Sequence, residues 1–204
     1  MLALYFMPGA CSLAAHIVLE ESGESYTPRA VDFARSEQRS EAYLKINPQG
    51  RVPVLELDNG EHLSENTAIL PYLGKRFGLW PTDPVAEAKA LSLIGFFAAS
   101  VHPAHAHFSR PERYTPDNSA FPAMKQRGLE TFHGYLKQID GILAGKDYFF
   151  DRYSVIDPYA FVFYTWGVLR ELPVRELGNY SAFKDRMLKR PAVQRVVEQE
   201  KVRV

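Results

Sequence analysis
The only cysteine of this 204-residue chain, Cys11, lies between a strand-like run and a helix-like one. Leu2 to Phe6 is short, apolar and aromatic, Pro8 and Gly9 break it, and Leu13, Ile17 and Val18 then recur with helical spacing. That order places Cys11 in the first turn of a helix, where unpaired N–H groups and the positive end of the helix dipole favour an anion such as a thiolate. A free cysteine also packs well as a small buried hydrophobe, and position alone does not separate the two roles. Ser12 adds a hydroxyl donor beside it. Two other places carry compatible chemistry. At Val52-Pro53 the proline cannot complete a sheet ladder, which leaves main-chain groups free to pair with an extended peptide, and a cis bond is compatible with the turn there. Glu65 and Asn66 stand at a helix start, where side-chain and N–H groups can grip the ammonium and carboxylate of an amino acid together. The combination points to a small peptide that carries a thiol.

The elements that must position these residues follow from pattern. Tyr26 to Phe33 reads as a second strand, and Arg35 to Lys45 as a short surface helix or irregular segment. Pro48 to Gly50 turns into a strand over Val52 to Leu57, and Asp58-Asn59-Gly60 makes a hairpin into a brief strand at His62 and Leu63. Ser64 opens a helix with Ile69, Leu70, Leu73 and Phe77 on one face and Gly78 as its stop. A helical crossover makes the first two strands parallel, and the hairpin makes the last two antiparallel. Trp80-Pro81-Thr82-Asp83-Pro84 has no apolar period, so residues 1–79 form one domain, 80–84 a linker and 85–204 an all-helical domain. In the latter, Val85 to Val101 carries Leu91, Ile94 and Phe97 on one side. Phe121 to Leu143 carries Met124, Leu129, Phe132, Leu136, Ile139 and Leu143, with a proline-rich loop, HPAHAHFSRPERYTPDNSAFP, between the two helices. Ser154 and Asp157 cap the start of a helix that is apolar around most of its circumference and is the expected buried centre. Tyr180 to Arg190 and Ala192 to Lys201 supply two more helices.

Composition bounds the function. Hydrophobic residues at 46% and aromatics at 13% indicate a globular chain. Lys plus Arg equals Asp plus Glu at 24 each, so no global basic field draws nucleic acid or an anionic membrane. A single cysteine forms no internal disulfide, which fits a reducing, cytoplasmic setting. No signal peptide is visible at the N-terminus, and the longest strongly apolar stretch, Tyr159 to Leu169, falls far short of the roughly 20 residues a membrane span needs.

The words YFMPGACSLAAHIVLEESG and INPQGRVPVLELDNGEHLSEN resemble the glutathione S-transferase family, the bacterial beta class in particular, and the likeness continues through the SVIDPYAF box. It implies an α/β thioredoxin-like N-terminal domain followed by an all-α helical bundle. It also implies an enzyme without a cofactor that uses glutathione as co-substrate against a small electrophilic or disulfide substrate, and that works as a homodimer. Carried over residue by residue, it assigns Cys11 to the glutathione sulfur, with Ser12 as the neighbouring hydroxyl and His102 contributed by the second domain. Val52, with Pro53 cis, takes the cysteinyl main chain, Glu65 and Asn66 the γ-glutamyl end, and Arg35 the glycyl carboxylate. Gly95 stands where many relatives have asparagine, Pro103 where lysine is usual and Asn66 where serine is more common. Bringing a thiol from a pKa of about 8.5 to about 6.5 takes roughly 2.7 kcal/mol of preference for the thiolate. A helix terminus supplies about 0.3 to 1 kcal/mol, or about 2 in a favourable site, so one or two direct donors must join it. A second route, thiol–disulfide exchange or peroxide reduction, is open to Cys11 as a thiol in its own right.

Three other readings compete. Tyr5 could activate a thiol, but its place inside a strand favours packing. His102, His105 and His107 invite a metal, yet no cysteine or carboxylate joins them at a recognised spacing, so no metal site is expected and a polar cleft wall is the simpler role. A non-catalytic glutathione-binding or ligand-carrying protein of the same fold is the alternative to an enzyme, since a fold does not fix a function.

Overall fold
Alternation of small and apolar residues lets two short strands sit at the middle of a sheet. In the computed structural model, which describes residues 1–204, β1 (Ala3–Phe6), β2 (Thr27–Ala30), β3 (Val54–Glu56) and β4 (His62–Ser64) lie in the order β2-β1-β3-β4. β1 runs parallel to β2 and antiparallel to β3, which pairs antiparallel with β4; Leu4 stands opposite Leu55, and Leu55 opposite Leu63. Leu4 and Leu55 are fully buried, which fixes the register, because a one-residue slip would turn both to the other face. The strands are shorter at their ends than the apolar runs predict, and Ser64 closes β4 instead of opening a helix.

Four helices pack around the sheet or close beside it. α1 (Leu13–Ser22) is buried continuously from Leu13 to Leu19 and ends where Gly23 turns left-handed at φ 69°. α2 (Glu41–Ile46) is capped by Ser40, whose hydroxyl accepts from Tyr43 N, and α3 (Asn66–Arg76) buries Ile69, Leu70 and Leu73. α4 (Pro84–Phe96) begins the helical part, with the Asp83 carboxylate accepting from Val85 N and Ala86 N. Trp80, in the connector before it, is itself buried and joins a cluster of buried side chains that extends from Leu2 to Val196, so one core runs beneath both parts.

The largest departure from the sequence reading comes next. His102 and its neighbours were expected in a proline-rich loop, but α4 passes through a π turn, Phe97–Val101, straight into α5 (His102–Ser109). Pro103 lacks an N–H, and the wider turn ahead of it admits a residue that an unbroken α-helix would reject. Ala90, Ile94, Phe97 and Val101 face the core, whereas Leu91, assigned to that face from its spacing, is 50% exposed. The joined run Pro84–Ser109 is long enough to cross a bilayer and holds an 18-residue window with a mean hydropathy of 1.3, a run the sequence reading divided. α6 (Phe121–Ile142) buries Phe132, Leu136 and Ile139, and its Gly128 meets α5 so closely that a Cβ would lie 2.9 Å from Phe108 N. Leu129, also expected inside, points outward.

α7 (Ile156–Leu169) is the buried centre, with every residue from Ile156 to Gly167 inside. Asp157 accepts from Ser154 N (2.7 Å), Ser154 Oγ (3.0 Å) and Phe149 N (3.0 Å), so the Ser-x-x-Asp pair sets the helix start. α8 (Gly178–Leu188) and α9 (Pro191–Glu200) complete the chain. α9 returns to α1 through Glu20–Arg195, and Arg190, just before α9, holds Glu21 at 2.5 and 2.9 Å.

Candidate functional site
A cleft of about 230 Å³ opens where the turn after β1 and the starts of β3 and α3 face α5 and α7. Cys11, Val52, Pro53, Glu65, Asn66 and His102 all line it. Ser12 and Arg35, assigned to the same site from sequence, do not. Ser12 is fully buried, and its hydroxyl donates to Met7 O and accepts from Met7 N, both at 3.2 Å, so it locks the turn that carries Cys11. The Arg35 side chain is 88% exposed and leans on Asp32. Arg51 occupies the cleft instead, joined by Arg110 and Arg113 from the segment after α5 and by Tyr159 and Trp166 of α7. None of these five was singled out by the sequence reading; Arg51 adjoins Val52, and that adjacency was the only available signal.

Cys11 stands one residue ahead of the Ser12 cap and not inside the helix, with Ala14 N bonded to its carbonyl. Its S–H donates to Val52 O at 3.5 Å. Burial, and then the Glu65 carboxylate, push the thiol up to about 12. The expectation of a thiolate therefore gives way to a neutral thiol that acts as a donor. The dipole of α1 is weak at this distance, and desolvation with a nearby carboxylate outweighs it.

The turn is held from several sides. Asn66 Nδ2 donates to Cys11 O at 2.9 Å, Trp166 Nε1 donates to Gly9 O at 2.8 Å, and Gly9 N donates to Glu200 Oε2 at 2.8 Å. Glu200 Oε1 also pairs with His16 Nδ1 at 2.6 Å, with both side chains almost fully buried. His16 is thus structural.

The Val52-Pro53 bond is cis, and Val52 N makes no hydrogen bond within the chain. Tyr43 Oη and Asn47 Nδ2 both donate to Arg51 O at 2.8 Å and fix this loop. Glu65 has φ 70° and ψ 129°, a conformation that costs a non-glycine residue about 1 to 3 kcal/mol, and its exposed carboxylate has no hydrogen-bond partner. The first intrahelical bonds of α3 run from Ala68 N and Ile69 N to Glu65 O, leaving the N–H groups of Asn66 and Thr67 at the open end.

His102 sits edge-on to Trp166 with ring centres 5.0 Å apart. Burial lowers its pKa to about 4, with the Arg110, Arg51 and Arg113 charges adding to the effect, so the imidazole is neutral at pH 7. His105 stacks on the same indole at 4.1 Å, and His107 packs on Tyr114 at 4.2 Å; the three histidines do not converge. Tyr5 lies outside the cleft, donating to Glu56 and accepting from Arg29.

Residues 1–75 match the family model described as glutathione S-transferase, N-terminal domain. The chain is 31% identical over 202 residues to glutathione S-transferase GstA of Escherichia coli O157:H7, covering 97% of this chain and 98% of that one. Among solved structures, a glutathione transferase homologue from Sulfitobacter with bound glutathione superposes with a TM-score of 0.92 at 35% identity, covering 98% of both chains. A bacterial beta class glutathione S-transferase of Sphingomonas chungbukensis gives 0.84 at 31% identity, covering 97% of this chain and 98% of the other.

Proposed function
The chain belongs to the glutathione S-transferase family, beta-class-like, and we propose from that premise how its cleft binds glutathione and activates its thiol. The observation that carries the reading is the convergence of the Cys11 S–H, the unpaired Val52 N–H and the uncommitted Glu65 carboxylate on one cleft. An extended tripeptide pairing with Val52 N and O would lie with its sulfur toward Cys11. Its γ-glutamyl ammonium would meet Glu65 and its α-carboxylate the free N–H groups of α3. Arg51, and not Arg35, is then the cation for the glycyl carboxylate.

The enzyme is a glutathione transferase, and the chemistry follows from the state of Cys11. With its own pKa raised to about 12, the thiol keeps its proton and can turn it from Val52 O toward the glutathione sulfur. A charge-assisted bond of this kind contributes about 1.5 to 3 kcal/mol, close to the roughly 2.7 needed to ionise glutathione near neutral pH. The glutathione sulfur, not Cys11, is then the nucleophile that attacks an electrophile lying against Trp166, His102 and Tyr114. The raised pKa argues against Cys11 as an exchanging nucleophile.

We also read the protein as a cytoplasmic homodimer. Val85 and Leu91 on α4 are 61% and 50% exposed and support self-association. Sedimentation at micromolar concentration tests the dimer. For the site, the ultraviolet absorbance of the glutathione thiolate is followed against pH in the wild type and Cys11→Ala. A bound-glutathione pKa that is depressed in the wild type and rises by one unit or more in the variant is expected; identical titrations would remove Cys11 from the mechanism.

A further inference from the structure
The cleft is lined by three arginines whose charges are not paired. Arg51, Arg110 and Arg113 all line it, and no carboxylate forms an ion pair with any of them, whereas Arg29, Arg76, Arg190 and Arg195 each hold one. The three guanidiniums act on one another and on their surroundings. Burial and then Arg110, Arg51 and Arg39 lower the pKa of Arg113, Arg110 and Arg51 help hold His102 neutral, and both oppose the rise in the Cys11 pKa. Like charges crowded beside a cleft repel one another and favour an anion that enters among them.

Glutathione does not satisfy all three. In the reading above, on which this inference rests, its α-carboxylate goes to the start of α3 and its glycyl carboxylate to Arg51. Arg110 and Arg113 remain, on the wall that faces the electrophile. The lining they share includes the apolar or aromatic Ala98, Ala106, Tyr114 and Trp166, together with the neutral His102. We propose that this enzyme selects electrophiles with an apolar or aromatic body bearing a carboxylate, held by Arg110 and Arg113 at the end away from the reacting carbon. Arg pairs suit such a group because their planar forks can each donate two hydrogen bonds to a carboxylate.

Calorimetric titration with S-(4-carboxybenzyl)glutathione, S-benzylglutathione and glutathione itself tests the proposal. In the wild type the carboxylated conjugate should bind at least about tenfold more tightly than the benzyl conjugate, and the ratio should shrink as salt is raised. In Arg110→Gln/Arg113→Gln the ratio should fall to within about twofold, while Arg110→Lys/Arg113→Lys should keep most of it, separating charge from a structural role. Turnover of 4-chloro-3,5-dinitrobenzoate and its methyl ester, each relative to its uncatalysed rate, should show the same preference. Equal affinities for the two conjugates in the wild type, with normal glutathione binding, would overturn the inference and leave the glutathione site standing. Failure of all three ligands to bind would overturn both. The wild-type ratio and its salt dependence decide the matter even where the double variant is unstable.

Discussion

Glu200 is far from Cys11 in sequence, yet its replacement should disturb both stability and the site. In Glu200→Ala, the part-buried Gly9 N loses its acceptor at 2.8 Å and the buried His16 Nδ1 its partner at 2.6 Å. A buried orphan costs about 1 to 3 kcal/mol and the part-buried Gly9 N–H sits at the low end of that range, so the loss is about 2 to 4 kcal/mol. A chain of this length loses about 2 to 4 °C per kcal/mol, which gives a fall in Tm of about 4 to 16 °C in a calorimetric scan. Glu200→Gln keeps one acceptor and should lose less. The Gly9 turn carries Cys11, so glutathione affinity should weaken as well, by about three- to tenfold, a cost of about 0.6 to 1.4 kcal/mol. A fall in Tm below about 3 °C would refute the energetic account, and a large fall with unchanged glutathione affinity would refute the coupling.

Glu65→Gly should remove glutathione binding while leaving Tm unchanged or raised, since glycine adopts the φ of 70° without strain worth about 1 to 3 kcal/mol; loss of both stability and binding would contradict this. Cys11, with its pKa raised from 9.0 to about 12, should react with iodoacetamide at pH 7 about a thousandfold more slowly than in the denatured chain, and comparable rates would contradict a neutral thiol. His102, at about 4, and His105, also strongly lowered by burial, stay neutral when folded, whereas in the unfolded chain each takes up a proton below about 6.5. Stability is therefore full above about 6.5 and falls as the pH drops toward 5, by up to about 1.4 kcal/mol per unit for each histidine; a Tm that stays flat over that range would contradict the burial of these rings.

Much of the molecule was legible because local chemistry and tertiary demand agree. The crossover and the Asp-Asn-Gly hairpin fixed strand directions, and the Ser154–Asp157 pair marked the start of the buried helix. Cys11, Val52-Pro53, Glu65 and Asn66 sit at element ends, which are where a sheet and its helices present free main-chain groups. Ser12 was misplaced because its neighbourhood is set by a tight turn whose donors it satisfies itself, information that composition does not carry. Arg35 was assigned through the family resemblance, which does not reveal which loop of this chain bends into the cleft. The His102–Ser109 helix was hidden by Pro103, a breaker in ordinary helical geometry, and the outward Leu91 shows that apolar type alone does not choose a face.

The π turn at Phe97–Val101 lies between α4 and α5. A residue added to a helical turn shifts everything after it by about 100° around the axis, so α5 is read in a different phase from α4. His102, Pro103 and Ala106 of α5 line the cleft in the phase that follows the turn. Deleting a single residue from the turn would shift that phase and rotate His102 away from its place in the cleft. In a lineage of related enzymes, a change in helix phasing here would therefore alter substrate choice in one step, where point changes to the wall could only adjust it.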